Sequence, residues 1–298
     1  MNIVRPAIVA AMAAVVADAV PSNGLFAAQL RLKDGRQFAC QVLGCQSGVV
    51  ELTRAIGAAT ARERIRLGAL ETIVAPQPAI AGISSTQSWP DASALDHALA
   101  EAKAATSLWR PFDGVKGSWF ASSALVQVFL LEKSGRYAEA LALLRQLDRH
   151  PDLTNRANEI AVRQAVLTWH TKGPDTACAA LDAALPRAQT DAARAELSYC
   201  RGIALARLGR PADSLFSLLR VPVFYSREGD WERTCLVAAL PSFAALGQRD
   251  EFEKACAALV SGFPGSPQAA TGSNVLDRLK AGLPLASFTS LTFYAKEP

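Results

Sequence analysis

Apolar and polar residues alternate with a period of two over the first part of the chain, and beyond Asp91 the apolar positions recur with the spacing of helices. Leu30 and Leu32 alternate with Gln29, Arg31 and Lys33, and the hairpin signal Asp34-Gly35 follows. Phe38, Cys40 and Val42 then alternate with Gln37, Ala39 and Gln41. Gly44 interrupts this run, which predicts a bend or bulge in a long strand. Ser47-Gly48 predicts a second turn, with further strands over Val49–Thr53, Arg64–Leu67 and Leu70–Val74. Residues 28–74 are therefore expected to fold as a small module of about five short strands.

Residues 75–91 have the composition of a linker, with Pro76, Pro78, Pro90, Gly82 and a Ser-Ser-Thr run, and a domain boundary is expected there. Asp91 is placed to cap a helix running to about residue 108, with Leu95, Ala98, Leu99 and Ala102 on one stripe. Four helix–turn–helix units are predicted next. Their first helices cover 118–133, 155–171, 190–207 and 230–246; their second helices cover 136–149, 174–187, 211–221 and 248–262. Gly135, Gly173, Gly209 and Gly247 fall at the turns, 38, 36 and 38 residues apart. A near-constant period of this size is the mark of a helical repeat array, in which each hairpin buries its apolar face only by stacking on its neighbours. A last helix over 267–280, polar on its outer face through Asp277, Arg278 and Lys280, is expected to close an array spanning 92–282. The tail 283–298 carries Phe288, Leu291, Phe293 and Tyr294, suited either to folding back or to docking elsewhere.

Two resemblances rest on these residues. Lys33-Asp34-Gly35-Arg36 resembles the opening hairpin of small SH3-like or Sm-like barrels, which implies a five-stranded, barrel-like module. Residues 118–267 resemble tetratricopeptide repeats. The turn glycines match throughout, whereas the family's turn tyrosine matches Tyr137 alone, Asp175, Pro211 and Arg249 standing in its place elsewhere. The small residue of the second helix matches Ala140 and Cys178, less well Ser214, and is replaced by Phe252; the first-helix glycine matches Gly202. The closing proline matches Pro264, with Pro151 one position early. Phe263-Pro264-Gly265-Ser266-Pro267 is similar to the ending common in envelope members of the family. The implied fold class is mainly α: a tetratricopeptide-like α-solenoid preceded by the small β module. The resemblance also implies a peptide-binding groove lined by set positions of the first helices. These are Leu125, Phe129 and Lys133, then Arg163, Leu167 and His170, then Glu196, Tyr199, Ile203 and Arg207, and finally Val237. Arginine forks and aromatic rings in such a groove suit an extended peptide of acidic or carboxylate character. A register one residue away places Phe129 and Tyr199 in the core instead.

Composition narrows the function. Half the residues are hydrophobic, enough for a sizeable core. The net charge is +4, and Lys and Arg are scattered among acids, which argues against a nucleic-acid partner. Arg31, Lys33, Arg36, Arg62, Arg64 and Arg66 leave an RNA-binding β module as a rival reading. They are equally the solvent-facing half of alternating strands, and Phe38 is the only aromatic in 28–74 on which a base can stack. At the start of the chain Arg5 precedes an apolar run from Ala7 to Val16 and the A-x-A site Ala17-Asp18-Ala19. This predicts a secretory signal over 1–19, with Ala27 the alternative cleavage region. The run is too short to span a bilayer, so the mature chain is expected in the periplasm or cell envelope without a transmembrane span.

The six cysteines form no C-x-x-C, and His97, His150 and His170 are dispersed, so no metal is expected. Cys178 with Cys200 and Cys235 with Cys256 flank helical turns. Each pair is read either as a disulfide in an oxidising compartment or as small buried hydrophobes. There is no G-x-S-x-G elbow, P-loop or dinucleotide fingerprint, and His170 near Cys178 or Cys200 lacks the context of a nucleophile pair. No enzyme activity or cofactor is expected. The expectation is a scaffold for a protein or peptide partner, with self-assembly through the apolar tail as the other rival and an oligomer as its consequence.

Overall fold

The computed structural model describes residues 25–78, 80, 91–148 and 150–289. The predicted signal over 1–19, most of the 75–91 linker and tail residues 290–298 lie outside the described residues. The chain divides into two compact units, 1–155 and 156–298.

The first unit opens with five antiparallel strands: β1 Phe26–Leu32, β2 Gln37–Gln46, β3 Val49–Ile56, β4 Ala59–Arg66 and β5 Leu70–Val74. They lie in the order β4-β3-β2-β1-β5. Asp34-Gly35 turns β1 into β2, with the Asp34 carboxylate accepting from the Arg36 amide at 3.0 Å. Ser47 and Gly48 both take positive φ, the backbone of a tight two-residue hairpin turn. The expected bulge is present, since the β2–β3 register slips between Val42 and Gly44.

The expected barrel is not formed: β4 and β5 end the sheet and are not paired with each other. The reason lies in β4, whose eight residues include none that is buried. Arg62 and Arg64 on it both bond Glu51 of β3, so curling β4 over the core would bury charge without an apolar row to offset it. The core face of the sheet is made by Leu30, Leu32, Cys40, Val42, Val50, Leu52 and Ile73.

Helix α1 (Ala92–Trp109) starts at Asp91, whose side chain accepts from the Ala94 amide at 2.8 Å. Its last residue closes an aromatic cluster: the Trp109 ring lies 4.6 Å from Phe26 of β1 and 5.8 Å from Phe112. The loop after α1 returns to the sheet edge. There the Trp119 indole donates to the Ala75 carbonyl and the Ile73 amide to the Lys116 carbonyl. Helices α2 (Phe120–Lys133) and α3 (Tyr137–Gln146) complete this unit, joined through Gly135 at φ +69°.

The second unit is helical: α4 Ala157–Thr171, α5 Pro174–Ala184, α6 Asp191–Arg207, α7 Pro211–Leu218, α8 Arg220–Phe224, α9 Gly229–Ala245, α10 Arg249–Gly262 and α11 Pro267–Lys280. Helices α4–α5, α6–α7 and α9–α10 pack as consecutive hairpins, and α6 packs against both α4 and α9. Gly209 and Gly247 turn their hairpins at φ +70° and +69°. Gly173 differs. It is an extended residue at φ −67° before Pro174, so the second turn is made by an N-terminal proline rather than a left-handed glycine. The predicted helix over 211–221 is broken into α7 and α8, because Pro222 has no N–H for the Leu218 carbonyl. Leu181, Leu218, Phe252 and Leu259 centre the core, and the tail segment Leu285–Phe288 adds Phe288, its ring 5.3 Å from Phe252.

Candidate functional site

The first helices α4, α6 and α9 carry the expected groove positions of the second unit. Glu196, Tyr199, Ile203 and Arg207 follow one another at helical spacing along α6. Three side-chain bridges join them to the flanking helices. Arg163 on α4 donates to Glu196 at 3.2 Å. The Arg207 guanidinium lies 4.5 Å from the centre of the Trp169 ring on α4. The Tyr199 ring lies 5.6 Å from Trp231 on α9, tilted by 48°. Arg163, Tyr199 and Trp231 are half-buried and Arg207 is exposed, so the strip is partly open to solvent.

Ile203 sits elsewhere: it is 2% exposed and belongs to the core, as do Leu167 and Val237. His170 is half-buried in the last turn of α4. Phe129 and Lys133 belong to the first unit, where the Lys133 ammonium lies 5.7 Å from the Phe129 ring centre within α2. Trp231 was not among the expected residues. Its only sequence signal is an aromatic in the first turn of a helix otherwise apolar nearly all round.

The Arg163–Glu196 contact sets the chemistry of the strip. The Arg163 charge is already met by a carboxylate, so any incoming anionic group would have to compete with Glu196 for it. In the first turn of α9, Arg233 pairs with Asp230, while burial pushes the Glu232 carboxyl above its ordinary value.

A second polar cluster lies in the first unit. His150 Nε2 is 2.7 Å from Asp113 Oδ1, and its Nδ1 accepts from the Asp152 amide at 3.2 Å. With Nδ1 an acceptor, the ring proton sits on Nε2 and is donated to Asp113. Both nitrogens are occupied, so the pair fixes the loop carrying Asp113 rather than offering a base. On the sheet, Arg62 and Arg64 bind Glu51, Arg54 binds Glu63 and Arg31 binds Glu71, so these cations are answered within the sheet.

The thiol of Cys178 and those of Cys235 and Cys256 are not linked as disulfides. Cys235 and Cys256 are fully buried, and Cys200 nearly so. Among the described residues, no group of three or more His, Cys, Asp or Glu is placed to hold a metal ion. No described helix is long and apolar enough to cross a membrane. No protein-family model matches the chain, and no curated protein sequence matches it significantly.

Proposed function

We propose that residues 92–282 form a tetratricopeptide-like array that acts, without catalysis, as a scaffold for a protein or peptide partner of the cell envelope, the chain being exported. The observation that carries this reading is the strip on α4, α6 and α9. There Arg163, Tyr199, Arg207 and Trp231 lie partly open on first helices whose hairpins stack in sequence. Partly buried aromatic and arginine side chains are the types that dominate binding energy at protein interfaces. The partner is expected to be an extended segment with a carboxylate that takes the place of Glu196 on Arg163. Ile203 supports the strip from beneath. The rival reading of RNA binding through the sheet is opposed by the pairing of Arg31, Arg54, Arg62 and Arg64 with carboxylates.

The test is photo-crosslinking in the native host, with the reactive residue at Tyr199 and, as control, at exposed Lys254 on α10. A defined protein adduct at Tyr199 and none at Lys254 is expected, and Glu196→Ala should raise its yield. The absence of an adduct at Tyr199 would defeat the proposal.

A further inference from the structure

The break between α7 and α8 creates a surface unlike the rest of the second unit. Phe216, Val223 and Phe224 stand 67%, 68% and 66% exposed, the most exposed of the large hydrophobic residues among those described. All three fall within residues 216–224. Arg220 lies between the two rings, its guanidinium carbon 5.9 Å from the centre of each. Its Nε is buried and has no hydrogen-bond partner among the described residues. Three other arginines of the unit are answered by acids: Arg201 by Asp182, Arg210 by Asp213 and Arg233 by Asp230. Of these four, Arg220 is the one that lies against aromatic rings with no carboxylate partner among the described residues.

We propose that this surface docks an acidic protein segment in which an Asp or Glu is flanked by aliphatic or aromatic residues. A guanidinium fixed between rings presents its remaining donors in the planar fork that a carboxylate accepts. The flanking rings and Val223 supply apolar area that removes water from the pair. Charge selects this occupant over two others. A two-fold contact between copies of the chain brings like surfaces together, and here sets cation against cation. An anionic membrane is held by clusters of Lys and Arg, whereas this patch has one. The surface lies on second-helix elements and the strip of the proposed function on first helices, so the two proposals stand separately.

The test begins by panning a random dodecapeptide library against the immobilised full chain. Selected sequences are expected to carry Asp or Glu next to Leu, Ile, Val or Phe. In fluorescence anisotropy the best peptide should bind Arg220→Gln, and separately the double variant F216S/F224S, at least about tenfold more weakly, the loss typical of a hot spot. Tyr199→Ala should bind it unchanged. Phe216 and Phe224 are largely solvent-facing, Arg220 and Tyr199 half-buried, and an unchanged melting temperature would show that each variant folds. The proposal is overturned if no peptide is selected, if selected peptides show no acidic preference, or if Arg220→Gln binds them equally. It is also overturned if phosphatidylglycerol vesicles sediment the wild-type chain but not F216S/F224S, which makes the surface a membrane contact. A concentration-dependent mass that this double variant abolishes would overturn it too, making the occupant a second copy.

Discussion

Two glycines mark where the chain comes closest to itself, and they differ in what a methyl group would meet. At Gly202 an added Cβ would lie 2.5 Å from Leu218 Cγ, so α6 and α7 approach through the missing side chain. Gly202→Ala should destabilise by about 1–3 kcal/mol through overpacking, read as a lower urea midpoint. At Gly117 the obstacle is backbone: φ is +84° and the Cβ would meet the Ile73 carbonyl oxygen at 2.3 Å. No rotamer relieves that clash, so Gly117→Ala should cost more than Gly202→Ala in the same assay. The thiols give a second prediction at this scale. Burial pushes both the Cys40 and Cys256 thiols up to about 12, and the reactive species is the thiolate. At pH 8 an aromatic disulfide reagent should label half-exposed Cys45 and Cys178 in the native protein and leave Cys40 and Cys256 untouched until it unfolds. Mass spectrometry of the labelled peptides checks this, and early labelling of Cys256 would show that α10 opens in the native state.

Six of the helix starts are built in one of two ways. Asp91, Thr190 and Ser266 accept from the backbone at the N-termini of α1, α6 and α11. At α3, α4 and α7 the residue before the helix is an arginine bonded to an acid three residues on: Arg136 to Glu139, Arg156 to Glu159 and Arg210 to Asp213. These acids also sit where the helix dipole favours negative charge. Thr190→Ala should cost about 1 kcal/mol, the usual worth of a cap. The arginine pairs act through pH. Hydrogen bonds from Arg136 and Arg156 hold the Glu139 and Glu159 carboxyls below the ordinary 4.5. A depressed folded-state value means stability present above 4.5 and lost as pH falls through the folded value. Arg156→Gln should therefore lower stability slightly at pH 7 and leave it nearly unchanged near pH 2, flattening the acid limb of the curve, as followed by thermal melts from pH 2 to 7. The helices were legible because turn glycines, prolines and the cap at Asp91 punctuate the apolar period. The Arg–acid starts were not, since arginine satisfies no backbone donor. Nor was the open sheet: Arg62, Arg64 and Ile65 alternate as a half-buried strand does, and whether edges meet is decided by residues far apart in sequence. At the site, Tyr199 and Ile203 share a stripe, but four residues advance a helix by about 40° beyond a full turn, enough to carry the stripe from rim to core. Trp231 depends on a tertiary neighbour that no local pattern displays, whereas Phe216, Arg220 and Phe224 stand four residues apart in the sequence and only the exposure of their rings needed the fold.

At the scale of the whole molecule, the tail is where assembly and stability make opposite predictions. If residues 283–298 serve to join copies, removing them should lower the mass at high concentration and leave the fold intact. Phe288 argues otherwise. It is fully buried, packs on Phe252 at 5.3 Å and has the Arg278 guanidinium 5.5 Å from its ring centre. Deleting such a ring typically costs about 3–5 kcal/mol, a large part of the roughly 5–15 kcal/mol that holds a domain together. The two compact units can be followed separately, because Cys40 lies in the sheet of the first and Cys235 and Cys256 in the core of the second. Truncation after residue 282 should expose Cys235 and Cys256 to labelling at a lower temperature while Cys40 keeps its protection. Phe288→Ala in the full-length chain should reproduce the shift, since the cause is the lost ring and not the missing tail. If the truncated chain melts like the parent and only its mass changes, the ring contributes little and the tail's role lies between molecules. If Phe288→Ala is silent while truncation destabilises, the stabilising contacts come from other residues of 283–298.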